Sequence, residues 1–126
     1  MVIKDVQDLL VYRKALEAAL AVSAILRRSA LCDDFELGKQ LGTSSARVPV
    51  NIAEGFGQKT DRHFAQYLYI ARGSANEVCA HLAIAQGRGD VSAEESSQLS
   101  ARYVEIARML TGLIKHLRKE DRKQRG

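Results

Sequence analysis

Apolar residues recur at helical spacing along this chain, and nowhere do they alternate with the period of two that marks a strand. In the first stretch Leu9, Tyr12, Leu16, Ala19, Ser23 and Leu26 step by three and four, the spacing of a bundle seam. Val6, Leu10, Leu20 and Ile25 widen that face. The pattern predicts a helix from Asp5 or Val6 to about Arg28, rich in the alanine that favours helix and close packing. A short connection from Ser29 to Asp33 follows. Asp33 and Glu36 have capping-box spacing, and Leu37, Leu41, Ser44, Val48 and Ile52 carry a second helix from about Asp34 to Glu54. Thr60 as N-cap, with Asp61 in the first turn, opens a third. Its seam is Phe64, Leu68, Ala71, Ala75, Val78, Leu82 and Ala85. Ser92 and Glu95 form another capping box. The fourth helix then follows Leu99, Tyr103, Ile106, Leu110, Leu113 and Leu117, broadened by Met109 and Ile114.

Long amphipathic helices with short connections predict an all-α, antiparallel, up-down-up-down four-helix bundle. No repeat or linker divides the chain, so residues 1–126 read as one domain with a basic C-terminal tail from about 118 to 126.

The least ordinary stretch is 48–60, VPVNIAEGFGQKT. It holds the one proline of the chain, Pro49, which lacks an N–H and clashes with the carbonyl at position 45, so a kink is expected there. Asn51 and Glu54 are polar positions among small apolar ones. A structural role assigns Asn51 to backbone groups freed by the kink and pairs Glu54 with a cation on the third helix, Arg72 being the candidate. Gly55 fits a C′ cap, and Gly57 allows a second positive φ in the turn.

Composition excludes several classes. The chain is 46% apolar and 27% charged, as in soluble globular proteins. No apolar run reaches the roughly 20 residues of a membrane span, and the N-terminus lacks a signal peptide's features, so a cytoplasmic location without membrane contact is expected. Cys32 and Cys79 form no C-x-x-C pattern. His63, His81 and His116 have no ligand-like neighbours beyond Glu77, four residues before His81, so neither a metal nor a cofactor is expected. Gly57-Gln58-Lys59-Thr60 departs from a phosphate loop in lacking glycine before Lys59 and in following a helix. The serines near Gly42 have no evident base. The residues make no case for an enzyme.

The formal charge is +4, and it is unevenly placed. Residues 1–114 are neutral, with 13 Lys and Arg against 13 Asp and Glu. The excess lies in Lys115, Arg118, Lys119, Arg122, Lys123 and Arg125, opposed by Glu120 and Asp121. Such a tail complements a helix macrodipole and also suits a polyanion. In the predicted topology Lys4, Lys59, Arg62 and this tail share one end of the bundle, a candidate surface for phosphate contacts.

Several motifs resemble one family. Residues 8–15, DLLVYRKA, resemble its N-terminal motif; 48–55, VPVNIAEG, resembles its hallmark; Phe64, 67–74 (YLYIARGS) and Glu77 resemble its third-helix motif. The family is that of the proteins encoded in intervening sequences of bacterial 23S rRNA genes. The resemblance implies a four-helix bundle assembled as a homo-oligomeric ring, a pentamer. It also implies kinship with accessory proteins of diversity-generating retroelements, basic pentameric bundles associated with nucleic acid and a reverse transcriptase. Family members commonly carry two consecutive arginines early in the second helix, where this chain has Gly42 and Thr43, with Arg47 supplying one nearby cation. A role resting on those arginines does not carry over. Two functions are therefore expected in competition: RNA or DNA binding through clustered Lys and Arg without strong sequence preference, and a protein-interaction scaffold.

Overall fold

Each helix owes its bounds to local chemistry. In the computed structural model, which describes residues 3–28 and 30–125, four helices form: α1 (Leu10–Arg28), α2 (Phe35–Phe56), α3 (Asp61–Gly87) and α4 (Ala93–Arg125). Ser29 of the first connection and Gly126 of the tail lie outside the described residues. The first helix starts later than expected. The Asp5 carboxylate accepts the Gln7 N–H at 3.1 Å, and the Asp8 carboxylate accepts the Lys4 and Asp5 N–H groups at 3.0 and 3.1 Å. These bonds cap a separate 3-10 turn over Val6–Asp8, and extended Leu9 ends it before α1 begins.

The starts of α3 and α4 follow the expectation. Thr60 Oγ1 accepts the His63 N–H at 3.1 Å. Ser92 Oγ accepts the Glu95 N–H at 3.1 Å while Glu95 accepts the Ser92 N–H at 3.3 Å, a reciprocal capping box. The box expected at Asp33 does not form. Glu36 instead accepts from Gln40 at 3.0 Å, and Asp34 turns to Arg88 of the α3–α4 turn at 3.0 Å. Gly89 in that turn is the one described residue at positive φ, 79°.

Sequential helices run antiparallel. Leu31 and Leu26 meet Gly38 and Gly42, while Tyr12 and Leu16 meet Pro49 to Glu54, so α1 rises as α2 falls. Asp34 at the start of α2 meets Arg88 after α3, and Gly55 at its end meets Phe64 and Tyr67 at the start of α3. Between α3 and α4 the pairs are Leu82 with Ser96, Cys79 with Ser100, Arg72 with Thr111 and Tyr69 with Arg118. An exposed Lys14–Glu105 ion pair joins α1 to α4; an exposed pair contributes about 0–1 kcal/mol.

The core is built largely from residues of the predicted seams of α2, α3 and α4, with Val48, Ile52, Leu68, Leu82, Tyr103 and Leu110 fully enclosed. In α1 the buried stripe is Val11, Ala15, Ala18, Val22 and Ile25, one residue away from the predicted seam. One residue is about 100° of helix rotation. The apolar arc of α1 is wider than the bundle uses. The alanines go inward, where they let helices approach, and Leu10, Leu16 and Leu20 remain 49%, 41% and 62% exposed.

Candidate functional site

The 48–60 stretch is structural in a different way from the expected one. α2 continues through Pro49 to Phe56, and Gly57 follows in right-handed helical conformation, φ −78°. Neither Gly55 nor Gly57 has a positive φ. Gly55 is instead a point of contact: a Cβ there would stand 2.8 Å from Tyr67 Cβ and 2.9 Å from Phe64 Cδ1. The glycine lets α3 press against the α2 backbone. Asn51 Nδ2 donates to the Arg47 carbonyl at 2.8 Å, and not to the Ser45 carbonyl that Pro49 leaves without its helical donor, so the expected role of Asn51 is not met. The expected Glu54–Arg72 pair is not formed. Glu54 is exposed and lines a cleft of about 480 Å³ with Tyr12, Leu16, Pro49 and Val50, on the α1–α2 side. Arg72 points to the opposite side of α3, where its Nη1 donates to Thr111 Oγ1 at 3.1 Å.

That opposite side gathers the charge. The start of α3 and the end of α4 enclose a cleft of about 500 Å³ lined by Arg62, Tyr69, Arg118, Arg122 and Arg125, with Asp121 as its one acid. Helical spacing explains the set: 62, 66 and 69 form one stripe of α3, and 118, 122 and 125 one stripe of α4. Ala65 at the cleft wall keeps it open. Arg118 Nη1 donates to the Tyr69 hydroxyl at 2.8 Å, and Asp121 pairs with Arg125 at 3.5 Å. Guanidinium groups stay charged at all working pH and present planar forks of donors that match phosphate.

Of the nine cations predicted at this end, Arg62, Arg118, Arg122 and Arg125 thus meet in one cleft. Lys115, Lys119 and Lys123 continue the positive arc around the exposed side of α4. Lys4 and Lys59 are exposed but do not line the cleft. Sequence reasoning missed Tyr69 and Arg108 and gave Arg72 a different role. Arg72 lies over the Tyr69 ring, 5.0 Å from its centroid, and shares with Arg108, Asn76 and Thr111 a second concavity of about 520 Å³ further along the same groove. The signal was present in the polar heptad stripe of α3: Arg62, Gln66, Tyr69, Arg72 and Asn76.

Other regions are less one-sided. Arg47 and Lys39 line a cleft of about 390 Å³ between α2 and α3, but share it with Glu36 and Glu77. At the far end Arg88 sits with Asp34 and Asp90. The Asp90 carboxyl is pushed up by the adjoining Asp34 carboxyl, and Asp34 is held down chiefly by the hydrogen bond from Asp90 and next by Arg88. Among the described residues no group of three or more His, Cys, Asp or Glu side chains could hold a metal ion. No described helix is long and apolar enough to cross a membrane.

Comparison with known proteins covers most of the chain, the family match ending before the basic tail. A family model described as 23S rRNA-intervening sequence protein matches residues 7–112. A similar solved structure is that of a protein with unknown function from the S23 ribosomal protein family of Bacteroides thetaiotaomicron. It is 24% identical, with a TM-score of 0.77 over 84% of this chain and 99% of that one. At that identity the likeness shows a shared fold. No curated protein matches the sequence. With four helices of this arrangement and a match from residue 7 to residue 112, the chain belongs to the family of 23S rRNA-intervening sequence proteins.

Proposed function

We propose that this protein is a non-catalytic, oligomeric helical bundle that binds nucleic acid, RNA or DNA, through its arginine-lined α3–α4 face and without strong sequence preference. The observation that carries the reading is the convergence of four arginines from two helices on one cleft with a single acid. Such a site engages phosphates, which occur at every nucleotide, rather than base edges. A binding role is supported over catalysis because Glu54 and Arg72 face different clefts and so form no joint acid–base set.

Self-association is the second part of the proposal. Leu16, Val50 and Ala53 line the cleft between α1 and α2, and Leu20 stands bare one turn beyond Leu16. A second copy covering this face would bury those side chains, and a ring, pentameric as the family resemblance implies, would repeat the arginine cleft around its circumference. The same bare face also supports the rival reading, a scaffold for a different protein.

Salt dependence separates the readings. Fluorescence anisotropy with generic RNA and DNA at about 50 and about 200 mM salt should show binding that weakens steeply, by a power law in salt concentration. The chain truncated after Leu117 should lose it. An absence of binding at low salt would remove the nucleic-acid reading. Light scattering should return a multiple of the 13.9 kDa chain mass, and Leu16→Gln with Leu20→Gln should shift it toward monomer. A monomer mass for the unaltered chain at micromolar concentration would leave the scaffold reading in place of the ring.

A further inference from the structure

We infer that the α3–α4 groove takes a single strand of nucleic acid rather than a duplex, with Tyr69 positioning the arginines and offering a stacking surface. The inference rests on the nucleic-acid reading above and specifies its ligand.

The shape of the groove is the first argument. The two concavities, about 500 and about 520 Å³, lie end to end along the same pair of helices and meet at Tyr69 and Arg72. From Arg62 to Asn76 the α3 wall extends about 21 Å at 1.5 Å per residue. The arginines stand on both walls of a trough between helices whose axes, when packed, lie about 8–10 Å apart. A duplex is convex, and its major groove, about 12 Å wide, admits one protruding helix. Neither helix protrudes here: Leu68, Ala71 and Ala75 hold α3 in the core, and Tyr103, Ile106 and Leu110 hold α4. A duplex would rest on the rim. A single backbone can lie along the groove and meet arginines from both helices.

The arrangement of the side chains is the second. Arg72 lies over one face of the Tyr69 ring and donates to Thr111, while Arg118 donates to the Tyr69 hydroxyl. Each guanidinium spends one of five N–H groups on the protein and keeps the rest for phosphate. Their orientations are set before any ligand arrives, which lowers the ordering cost of binding. Tyr69 as a residue remains 37% exposed among them. Aromatic rings and guanidinium planes stack on unpaired bases, and a base within a duplex is not available to either. A trough of this length holds about four nucleotides, the low end of site sizes for sequence-tolerant strand binders.

The test uses the full chain and three labelled probes, oligo(U) and oligo(dT) of about 12 nucleotides and a duplex of the same length. At low salt both single strands should bind at least about tenfold more tightly than the duplex. Tyr69→Leu should weaken single-strand binding by about 5- to 100-fold and duplex binding by much less. Tyr69→Phe, which keeps the ring and loses the hydroxyl, should restore most of it. Duplex binding as tight as single-strand binding, and equally lost in Arg118→Gln with Arg122→Gln, would overturn strand selectivity while leaving the nucleic-acid reading intact. Failure of all three probes at low salt would remove that reading as well. Tighter binding of an oligo-glutamate peptide than of any probe would assign the groove to an acidic protein segment and overturn the inference.

Discussion

Helix α3 lies in two contacts of opposite character. Toward α2 it meets glycine: Gly55 admits Phe64 and Tyr67 onto the neighbouring backbone, and Ser44, Ser45, Ala71 and Ala75 are buried small residues on the two helices. Toward α4 its outer edge meets arginine. Arg62, Arg72, Arg108, Arg118, Arg122 and Arg125 line a groove that small residues, Ala65 and Ala107, leave open. Like charges cannot be pressed together without solvent between them. Both contacts are closely packed at the core; they differ at the rim, where guanidiniums along the α3–α4 edge leave a groove open to ions and ligands. Within residues 48–55, Gly55 belongs to the contact with α3 and helps hold that helix in place, while Pro49, Val50, Ala53 and Glu54 line the α1–α2 cleft.

The sharpest break of this comparison is to fill the α2–α3 contact. Gly55→Ala puts a methyl group against Tyr67 Cβ, an atom that cannot swing away, and should cost about 1–3 kcal/mol in chemical denaturation. A variant as stable as the parent would mean that α3 does not need the close approach. The α3–α4 rim should respond in the reverse sense. Arg118→Gln with Arg122→Gln should leave stability within about 0.5 kcal/mol while flattening the salt dependence of oligonucleotide binding by one to two phosphate contacts' worth. A large loss of stability would recast these arginines as structural.

Smaller effects sharpen the two contacts from within. Tyr103 is fully buried on α4, its hydroxyl has no hydrogen-bond partner among the described residues, and burial pushes the phenol well above its ordinary value. Tyr103→Phe removes an unsatisfied group without changing shape, so stability should be unchanged or raised by up to about 1 kcal/mol. A clear loss would reveal a partner for the hydroxyl, such as a buried water.

The far end of the α2–α3 contact carries the pH response. Asp90 Oδ2 is buried with no hydrogen-bond partner among the described residues, and the adjoining Asp34 carboxyl pushes the Asp90 carboxyl up. Asp90, raised, adds stability that is present below its unfolded value and lost as pH climbs through the folded one. Asp34, lowered, adds stability present above its unfolded value and lost as pH falls through its folded one. The pair is therefore best matched between the folded-state values of Asp34 and Asp90, with one proton between the two carboxyls. Asp90→Asn keeps a donor toward Asp34 at every pH. Its melting temperature should slightly exceed that of the parent at neutral pH and converge with it near the carboxylate range. A parallel offset at all pH values would mean that the two carboxyls do not share a proton.

Much of this was legible beforehand, and the failures have one cause. Thr60 and the Ser92–Glu95 box cap α3 and α4 as their spacing indicates, because capping is a contact between residues three apart. The seams of α3 and α4 follow from period over most of their length, the exceptions being Phe64 and Leu113, which are only partly buried beside buried Ala65 and Ile114. In α1 two stripes compete, and periodicity cannot say which one the bundle takes. Glycine at 55 was legible as special, yet its reason was not: a positive φ is a local property, whereas the approach of Phe64 depends on how two helices cross.

The same division holds for the candidate site. Period, caps and the asymmetry of charge along the chain are local or additive quantities, and from them the all-α bundle and a basic end could be derived without coordinates. Side-chain partnership across helices is neither local nor additive. Rotation and crossing of α3 and α4 took Arg72 away from Glu54, placed it on Tyr69, and separated Lys4 and Lys59 from a cleft that gathered Arg62, Arg118, Arg122 and Arg125. A rotation of one residue, about 100°, moves a side chain from one groove of a helix to the next, so only the packed structure could decide which arginines meet.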